Sequence, residues 1–171
     1  QNKGRSSARN YGNKTATSSI ICVQDADDIA LPNRAKVIYN FFQKNKCDIF
    51  YSSFNVTDVY GNIIGIIKAI PFDFKRVLKD KVTYIGHSTM AYKKNVVNKI
   101  KYSNGKWSSL GLDDWKLQLD LHKAKYKFGF SDKILISYRQ LSDSISAIRN
   151  ATEVYKAKGN YLQQFKEYEK S

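Results

Sequence analysis

The chain has 171 residues, of which 42% are hydrophobic and 13% are aromatic, and this content excludes an intrinsically disordered protein. Its 29 lysine and arginine residues outnumber 15 acidic residues and give a formal net charge of +14. Such an excess favours polyanionic partners, whether nucleic acid, anionic lipid or a phosphate-bearing substrate. The lysines are scattered and form no arginine-rich stripe, so the pattern favours solvated helix faces over nucleic-acid recognition.

The two cysteines, Cys22 and Cys47, are too few for the dense disulfide framework of a small secreted domain. Cys22 lies in an apolar run and is expected to be a buried free thiol. No apolar run is long enough to span a bilayer. We therefore expect a cytoplasmic protein whose contact with a membrane, where it occurs, is peripheral.

The beginning of the chain predicts a helix over residues 6–16, which Ser6 or Ser7 can cap. Small residues recur every four positions along this helix, at Ala8, Gly12 and Ala16. Residues four apart lie on one helix face, so this small-residue stripe is expected to pack close to a sheet.

The next segment predicts a strand and a second helix. Residues 19–23 form a short apolar run, typical of a strand that is buried on both faces. Pro32 suits the first turn of a helix that ends near Lys44. The apolar side of this helix is expected to carry Ala35, Ile38, Tyr39 and Phe42.

The middle of the chain predicts a hairpin from residues 48–54 and 63–70, joined by a turn at 58–62. Residues 84–92 predict a further strand. The polar, glycine-containing segment 95–112 predicts a loop.

The last part of the chain predicts an amphipathic helix over residues 113–125 and a strand over 127–138. A final helical region is expected to begin at Ser142 and to be interrupted near Gly159. The order of these elements predicts an α/β fold with a mixed sheet flanked by helices. We expect one domain over residues 1–150 and a C-terminal helical extension over 151–171.

Three carboxylates follow the first strand, on Asp25, Asp27 and Asp28. Carboxylates this close repel one another, and a divalent cation that prefers oxygen ligands is a suitable counter-charge. Asp25 and Asp27 are two positions apart, so an extended backbone points both to the same side. On spacing alone, a metal site and a solvated cap for the next helix both remain open.

Other candidate residues are less specific. Asp113 and Asp114 begin a helix, where carboxylates favour the positive end of the helix dipole, but a carboxylate there also suits a general base. His87 has no serine and aspartate in an order that indicates a catalytic triad. His122 lies on the apolar side of its helix and is expected in the core. Trp107 in a polar segment suits stacking on a sugar ring or packing over the loop backbone. No phosphate-binding loop of the G-x-x-x-x-G-K-[ST] or G-x-G-x-x-G type is present.

Five segments, in this order, resemble the middle of family 2 glycosyltransferases. They are GRSSARNYG (residues 4–12), VQDADDIALPNR (23–34), HSTMAYKK (87–94), LDDWKL (112–117) and YRQLSDSIS (138–146). The family patterns that they resemble are a G-x-S-x-A-R-N-x-G helix start, a D-x-D-D strand end with L-P-x-R, an acceptor-side strand, an E-D motif and a Y-R-x-H-x-x-S-x-S segment. Leu141 stands where many relatives have the histidine of the last pattern.

The resemblance implies a GT-A-like fold. The first strands of the family pattern are missing from this sequence, so we expect an N-terminally truncated form of that fold. The resemblance also implies an inverting, metal-dependent transfer, with Mn²⁺ or Mg²⁺, from a nucleotide-diphosphate sugar to an acceptor hydroxyl. Asp114 is then the base, and Arg9 faces the donor. Asp25 and Asp27 are assigned to the metal and to the ribose or diphosphate of the donor, and the adjacent Asp28 is assigned to the metal. The acceptor-side residues are His87, Ser88, Thr89, Trp107 and Asp113.

The implied partners are the donor and a carbohydrate, lipid-linked or protein acceptor, together with an upstream segment or a partner chain that completes the donor site. Two other functions remain open: an inactive GT-A-like interaction module, and a basic nucleic-acid-binding protein. The second alternative predicts steeply salt-dependent binding and leaves the acidic cluster unexplained.

Overall fold

The computed structural model describes residues 3–142 and 150–168, with side chains up to residue 165. Its helices are α1 (Arg5–Thr15), α2 (Arg34–Lys44), α3 (Phe74–Asp80), α4 (Lys94–Lys99), α5 (Lys106–Ser109), α6 (Asp113–Lys123) and α7 (Ala151–Tyr168). Its strands are β1 (Ile20–Cys22), β2 (Ile29–Ala30), β3 (Ile49–Thr57), β4 (Ile63–Ile67), β5 (Ala91–Lys93) and β6 (Phe128–Arg139). A 3₁₀ turn spans His87–Thr89.

The described strands form one mixed sheet in the order β1-β5-β3-β6-β2, and β4 pairs with the second half of β3. The central pair, β3 and β6, is parallel from Ile49 opposite Phe128 to Thr57 opposite Arg139. The other pairs are antiparallel. The expected α/β fold with a mixed sheet is therefore confirmed, and so is the predicted hairpin of β3 and β4.

Helix α6 lies between two parts of the hydrophobic core. Leu117 and Leu121 pack with residues of β3 and β5, while Trp115 and Leu119 pack against α7. Burial of one leucine side chain contributes about 2 kcal/mol, so these two contacts fix the helix firmly. The first residues of α6, which carry two carboxylates, are thereby held in one place.

The predicted packing of α1 by a small-residue stripe is wrong. Ala8 and Gly12 are exposed, and the buried positions of the helix are Ser6 and Asn13. The helix packs by polar contacts: Asn13 Oδ1 accepts a hydrogen bond from the hydroxyl of Tyr92 at 3.0 Å. The predicted serine cap is also wrong, because Gly4, with a φ of 81°, precedes the first turn and no side chain caps it.

The prediction that the first strand is buried on both faces is wrong as well. Strand β1 lies at one edge of the described sheet, where only β5 pairs with it, and Cys22 is exposed. An edge strand does not need to be buried on both faces of the sheet. Helix α2 agrees with its prediction at Ile38 and Phe42, which are buried, whereas Tyr39 is 57% exposed.

The elements around the two later motifs also differ from the prediction. The segment 84–92 contains the 3₁₀ turn and only the start of β5, and the predicted loop at 95–112 contains the two short helices α4 and α5. Helix α7 runs through Gly159 without the predicted interruption. Residues 143–149, which include the last four residues of the segment YRQLSDSIS, lie outside the described residues. Among the described helices, none has the length and apolarity needed to cross a membrane.

Candidate active site

A cavity of about 670 Å³ brings the two acidic motifs together. Six elements surround it: α1, the segment after β1, the 3₁₀ turn, the start of α6, and the second halves of β3 and β6. Its charged lining residues are Arg5, Arg9, Asp25, Asp27, Asp28, Asp113 and Asp114, together with His87. Asp27 and Asp114 thus share one cavity although they lie far apart in the sequence.

One arginine connects the two motifs. Arg9 Nη2 donates to Asp25 Oδ1 at 2.9 Å, and Arg9 Nη1 donates to Asp113 Oδ2 at 2.8 Å. Asp113 is completely buried and also accepts hydrogen bonds from Arg5 and from Ser6 Oγ. Burial lowers the pKa of Arg9, but the charges of Asp25 and Asp113 more than offset this effect and raise it. The guanidinium therefore stays charged and fixes the geometry of both segments.

Both carboxylate oxygens of Asp25 already have partners. Oδ1 accepts from Arg9, and Oδ2 accepts from Ser88 Oγ at 3.0 Å and lies 3.1 Å from His87 Nδ1. Burial raises the pKa of this carboxyl, whereas the hydrogen bonds and charges of His87 and Arg9 outweigh burial and hold the pKa well below its usual range. Asp25 is therefore an ionised residue that stabilises the segment and has little free capacity for a ligand.

His87 connects Asp25 to the core. Its Nε2 lies 2.9 Å from the hydroxyl of Tyr102, and its side chain is only 8% exposed. Burial raises the pKa of the Tyr102 phenol, so this hydroxyl stays neutral. Thr89 Oγ1, in turn, donates to the carbonyl of Gly86 at 2.7 Å. The predicted acceptor-side residues of this turn line the cavity, but their polar atoms hold Asp25 and the turn.

Asp28 has an environment different from that of Asp25. It is 9% exposed, and its Oδ1 accepts from the amide of Arg139 at 3.1 Å. Burial raises the pKa of the Asp28 carboxyl, and the neighbouring charges of Asp27 and Asp25 add to this rise. The hydrogen bond from the Arg139 amide opposes this rise without cancelling it.

Asp27 and Asp114 are the half-buried carboxylates of the cavity that remain available, and Asp28 keeps one buried oxygen, Oδ2, without a hydrogen-bond partner among the described residues. Neither Asp27 nor Asp114 has a hydrogen bond or an ion pair with any residue in the described part of the chain. Each acidic motif therefore contains one carboxylate held by Arg9 and one that faces the cavity without a partner among the residues that the structure describes. A carboxylate in this position can bind a cation or accept a proton.

Trp107 does not line this cavity, so the structure separates it from the other predicted acceptor-side residues, and its assignment to the acceptor side stays a prediction. Its indole packs against Trp115, with ring centroids 6.5 Å apart, and against Tyr161 at 5.1 Å. The sequence could not show that α7 supplies Tyr161 to this cluster. His122 is half-buried and packs on Phe74 at 4.6 Å, as expected of a core position.

The sequence interpretation missed several residues of the cavity. Arg5 lies in the first motif but was not assigned a role, and the only signal for it is its position one helical turn before Arg9. Tyr102, which contacts His87 but does not line the cavity, carries no motif, so no sequence signal identifies it. Besides Leu141, which the sequence comparison singled out, the apolar lining was also missed; it consists of Phe54, Ile85, Ile136 and Tyr138.

The residues at the cavity fit a divalent cation that is bound partly by the substrate. The described residues contain no group of three or more histidine, cysteine or acidic side chains that could hold a metal. A cation that also binds substrate phosphates needs only one or two protein carboxylates, however. Asp27 fits this requirement because its oxygens have no protein partner among the described residues, and the buried Oδ2 of Asp28 is also unpaired there, whereas the oxygens of Asp25 are engaged. The assignment of Asp25, Asp27 and Asp28 as metal ligands stays a prediction.

Comparison with known proteins identifies the family of the chain. The sequence model described as Glycosyl transferase family 2 matches residues 1–101. An uncharacterised glycosyltransferase of Methanocaldococcus jannaschii is 30% identical over 144 residues, which are 81% of this chain and 48% of that protein. The chain therefore spans about half the length of this curated relative.

Two crystal structures of the TarS 1–349 protein of S. aureus have a similar fold. The complex with UDP-GlcNAc has a TM-score of 0.58 and 15% identity, and the match covers 91% of this chain and 46% of that chain. The complex with UDP has a TM-score of 0.55 and 15% identity, with 82% and 41% covered. The mixed sheet and its flanking helices are thus of the GT-A type, and the chain belongs to glycosyl transferase family 2.

Proposed function

We propose that this cavity is the transfer site of an inverting glycosyltransferase that moves a sugar from a nucleotide-diphosphate donor to an acceptor hydroxyl. The observation that carries the proposal is the pair of unpartnered carboxylates, Asp27 and Asp114, at one cavity. Family membership and the UDP and UDP-GlcNAc complexes of the TarS structures support this type of donor.

Asp27 belongs to the donor side of the site. A nucleoside diphosphate leaves as an anion, so its departure needs charge neutralisation rather than a proton from a carboxylic acid. A divalent cation such as Mn²⁺ or Mg²⁺, held by Asp27, would supply this positive charge. Arg9 is already paired with Asp25 and Asp113, so its role in the proposal is to position both acidic segments instead of contacting the donor itself.

Asp114 is the general base of the proposal. As the acceptor oxygen bonds to the anomeric carbon, the bond from that carbon to the diphosphate breaks, and the acceptor proton passes to the Asp114 carboxylate. A single displacement of this kind inverts the anomeric centre. Asp113 does not compete for the proton, because it is buried and accepts hydrogen bonds from Arg5, Arg9 and Ser6.

The two alternative functions receive less support from the site. An acid-lined cavity repels phosphates in the absence of a cation, which opposes a nucleic-acid interface there. An inactive module has no need for two carboxylates that lack protein partners, since such groups cost stability when they are partly buried.

The proposal is tested with the complete protein and a panel of UDP-, GDP- and dTDP-sugars, in the presence of Mn²⁺ or of a chelator. We expect release of the nucleoside diphosphate from at least one donor, and loss of this release in Asp114→Asn. A matched control is Asp132→Asn, which changes an exposed aspartate of β6 away from the cavity. Absence of turnover with every donor would overturn the enzymatic proposal in favour of the inactive module.

A further inference from the structure

The lining of the cavity is divided into a charged side and an apolar side. The proposed reaction uses the charged side, where the carboxylates lie. The other side is formed by Phe54, Ile85, Ile136, Tyr138 and Leu141. None of these side chains has a role in the proposed reaction. Their arrangement therefore indicates a further property of the substrate.

The strand register shows how far the apolar side extends. Phe54 of β3 lies opposite Ile136 of β6 on one side and opposite Ile67 of β4 on the other. Side chains at directly opposite positions of paired strands lie on the same face of the sheet. The cavity face therefore continues from Ile136 across Phe54 to Ile67.

A second row of residues on the same face is also apolar. Val56 lies opposite Tyr138 of β6 and Gly65 of β4. A Cβ atom added to Gly65 would meet only the Cβ of Val56, at 3.9 Å, so the surface above this glycine is open. We call the two rows together the apolar track; it consists of Ile136, Tyr138, Phe54, Val56, Gly65 and Ile67.

The apolar track leads from the cavity to the surface. Ile136 is completely buried, Phe54 is half-buried, and Ile67 on β4 is 46% exposed. A single exposed isoleucine needs no explanation, but an apolar surface that is continuous with a polar cavity marks a binding groove.

Building on the proposed function, we propose that the acceptor is an amphiphile whose hydroxyl-bearing head group lies at Asp114 and whose apolar chain lies along the apolar track. A purely hydrophilic acceptor would place its hydroxyl groups on a surface whose one side-chain hydrogen-bonding group is the phenol of Tyr138, at a cost in desolvation. A second copy of this chain is a poorer occupant, because each copy has a net charge of +14 and the two repel each other.

The test measures binding alone, without donor or turnover. n-Alkyl β-glucosides from hexyl to decyl, kept below their micelle concentrations, displace the fluorescent probe dansylundecanoic acid from the complete protein. We expect affinity to rise roughly threefold with each added methylene, the increment that burial of a methylene in an apolar groove provides. Affinities independent of chain length would overturn the proposal.

Two neighbouring isoleucines supply a matched pair of variants. Ile67 lies on the track, whereas Ile66 lies opposite Asn55 on the other face of the sheet, and the two are similarly exposed, at 46% and 54%. We expect Ile67→Ser to weaken decyl glucoside binding about fivefold and Ile66→Ser to leave it unchanged, with equal melting temperatures. Equal weakening in both variants would overturn the proposal and indicate an unspecific apolar hairpin, suited to a protein partner or a membrane.

A chain-length gradient without turnover of any donor would contradict the proposed transferase reaction and leave the apolar track intact.

Discussion

Arg9 and Asp113 form an ion pair that fixes the start of α6, the helix that presents Asp114. The guanidinium donates to Asp113 at 2.8 Å and to Asp25 at 2.9 Å, so it also fixes the segment that presents Asp27. In the two acidic motifs, Arg9 holds Asp25 and Asp113. The nearby carboxylates, Asp27 and Asp114, have no partner among the described residues. The arginine of the first motif therefore acts on the site through the carboxylates that it positions.

Replacement of Arg9 tests this positioning role through stability. Arg9→Ala leaves a completely buried carboxylate, Asp113, with fewer hydrogen bonds, and a bond to a charged group contributes about 2 kcal/mol. We expect the free energy of unfolding in urea to fall by about this amount or more. Arg9→Lys should recover only part of the loss, because an ammonium group cannot reproduce the planar fork that reaches two carboxylates. Lys14→Ala, on the exposed side of α1, is the control; an equal loss in this variant would show that Arg9 has no special contribution.

The acid sensitivity of the fold follows from Asp25. The pKa of its carboxyl is lower in the folded protein than in the unfolded chain, where it is about 3.9. The ionised carboxylate therefore stabilises the fold above about pH 4, and this stabilisation is lost as the pH falls through the folded-state pKa. We expect the free energy of unfolding to decrease below about pH 4 in the wild type. The decrease should be shallower in Asp25→Asn, and identical slopes in the two proteins would contradict the assignment.

Gly86 tests the packing of the 3₁₀ turn on β3. A Cβ atom at this position would lie 2.7 Å from the Phe54 ring. We expect Gly86→Ala to lower the free energy of unfolding by about 1–3 kcal/mol, the usual effect of overpacking. Gly12→Ala is the matched control, because a Cβ there meets nothing within 4 Å and lies in a helix interior. This control should be up to about 1 kcal/mol more stable than the wild type, and a result with the two signs exchanged would contradict the described packing.

Asp27 is expected to couple the cation to nucleotide binding. In Asp27→Asn, binding of UDP measured by calorimetry should no longer be strengthened by Mn²⁺, because the free carboxylate that holds the cation is absent. The fold should be unaffected, since Asp27 has no hydrogen bond with any residue that the structure describes. Asp25→Asn should instead be destabilised, because Arg9, His87 and Ser88 all bind that carboxylate. A Mn²⁺ effect that persists in Asp27→Asn and disappears in a stable Asp25→Asn would reverse the two roles.

The sequence predicted the parts of the fold that hydrophobic periodicity determines. The helix at 113–123, the long strand β6 and the hairpin of β3 and β4 are present with bounds close to those expected. Periodicity could not predict how α1 packs, because its buried residues, Ser6 and Asn13, are polar and take their partners from distant segments. The edge position of β1 was missed for a similar reason, since pairing between strands is a property of the sheet and not of the local sequence.

The motif positions were predicted better than the roles of their residues. Family resemblance placed Asp27 and Asp114 correctly at one cavity, but it could not show that Arg9 saturates Asp25 and Asp113. That arrangement depends on the crossing of α1 past the start of α6. The apolar track was also beyond the sequence, because its residues come from three strands whose register only the structure shows.

The most direct test of the account is to compare Asp114→Asn with the wild type in two measurements on the same preparation, the rate of sugar transfer and the affinity for UDP in the presence of Mn²⁺. The account predicts a rate lower by about 10²–10⁴-fold, the usual contribution of a general base, and an unchanged affinity for UDP. Loss of UDP affinity as large as the loss of rate would place Asp114 on the donor side and contradict the account, and so would an unchanged rate.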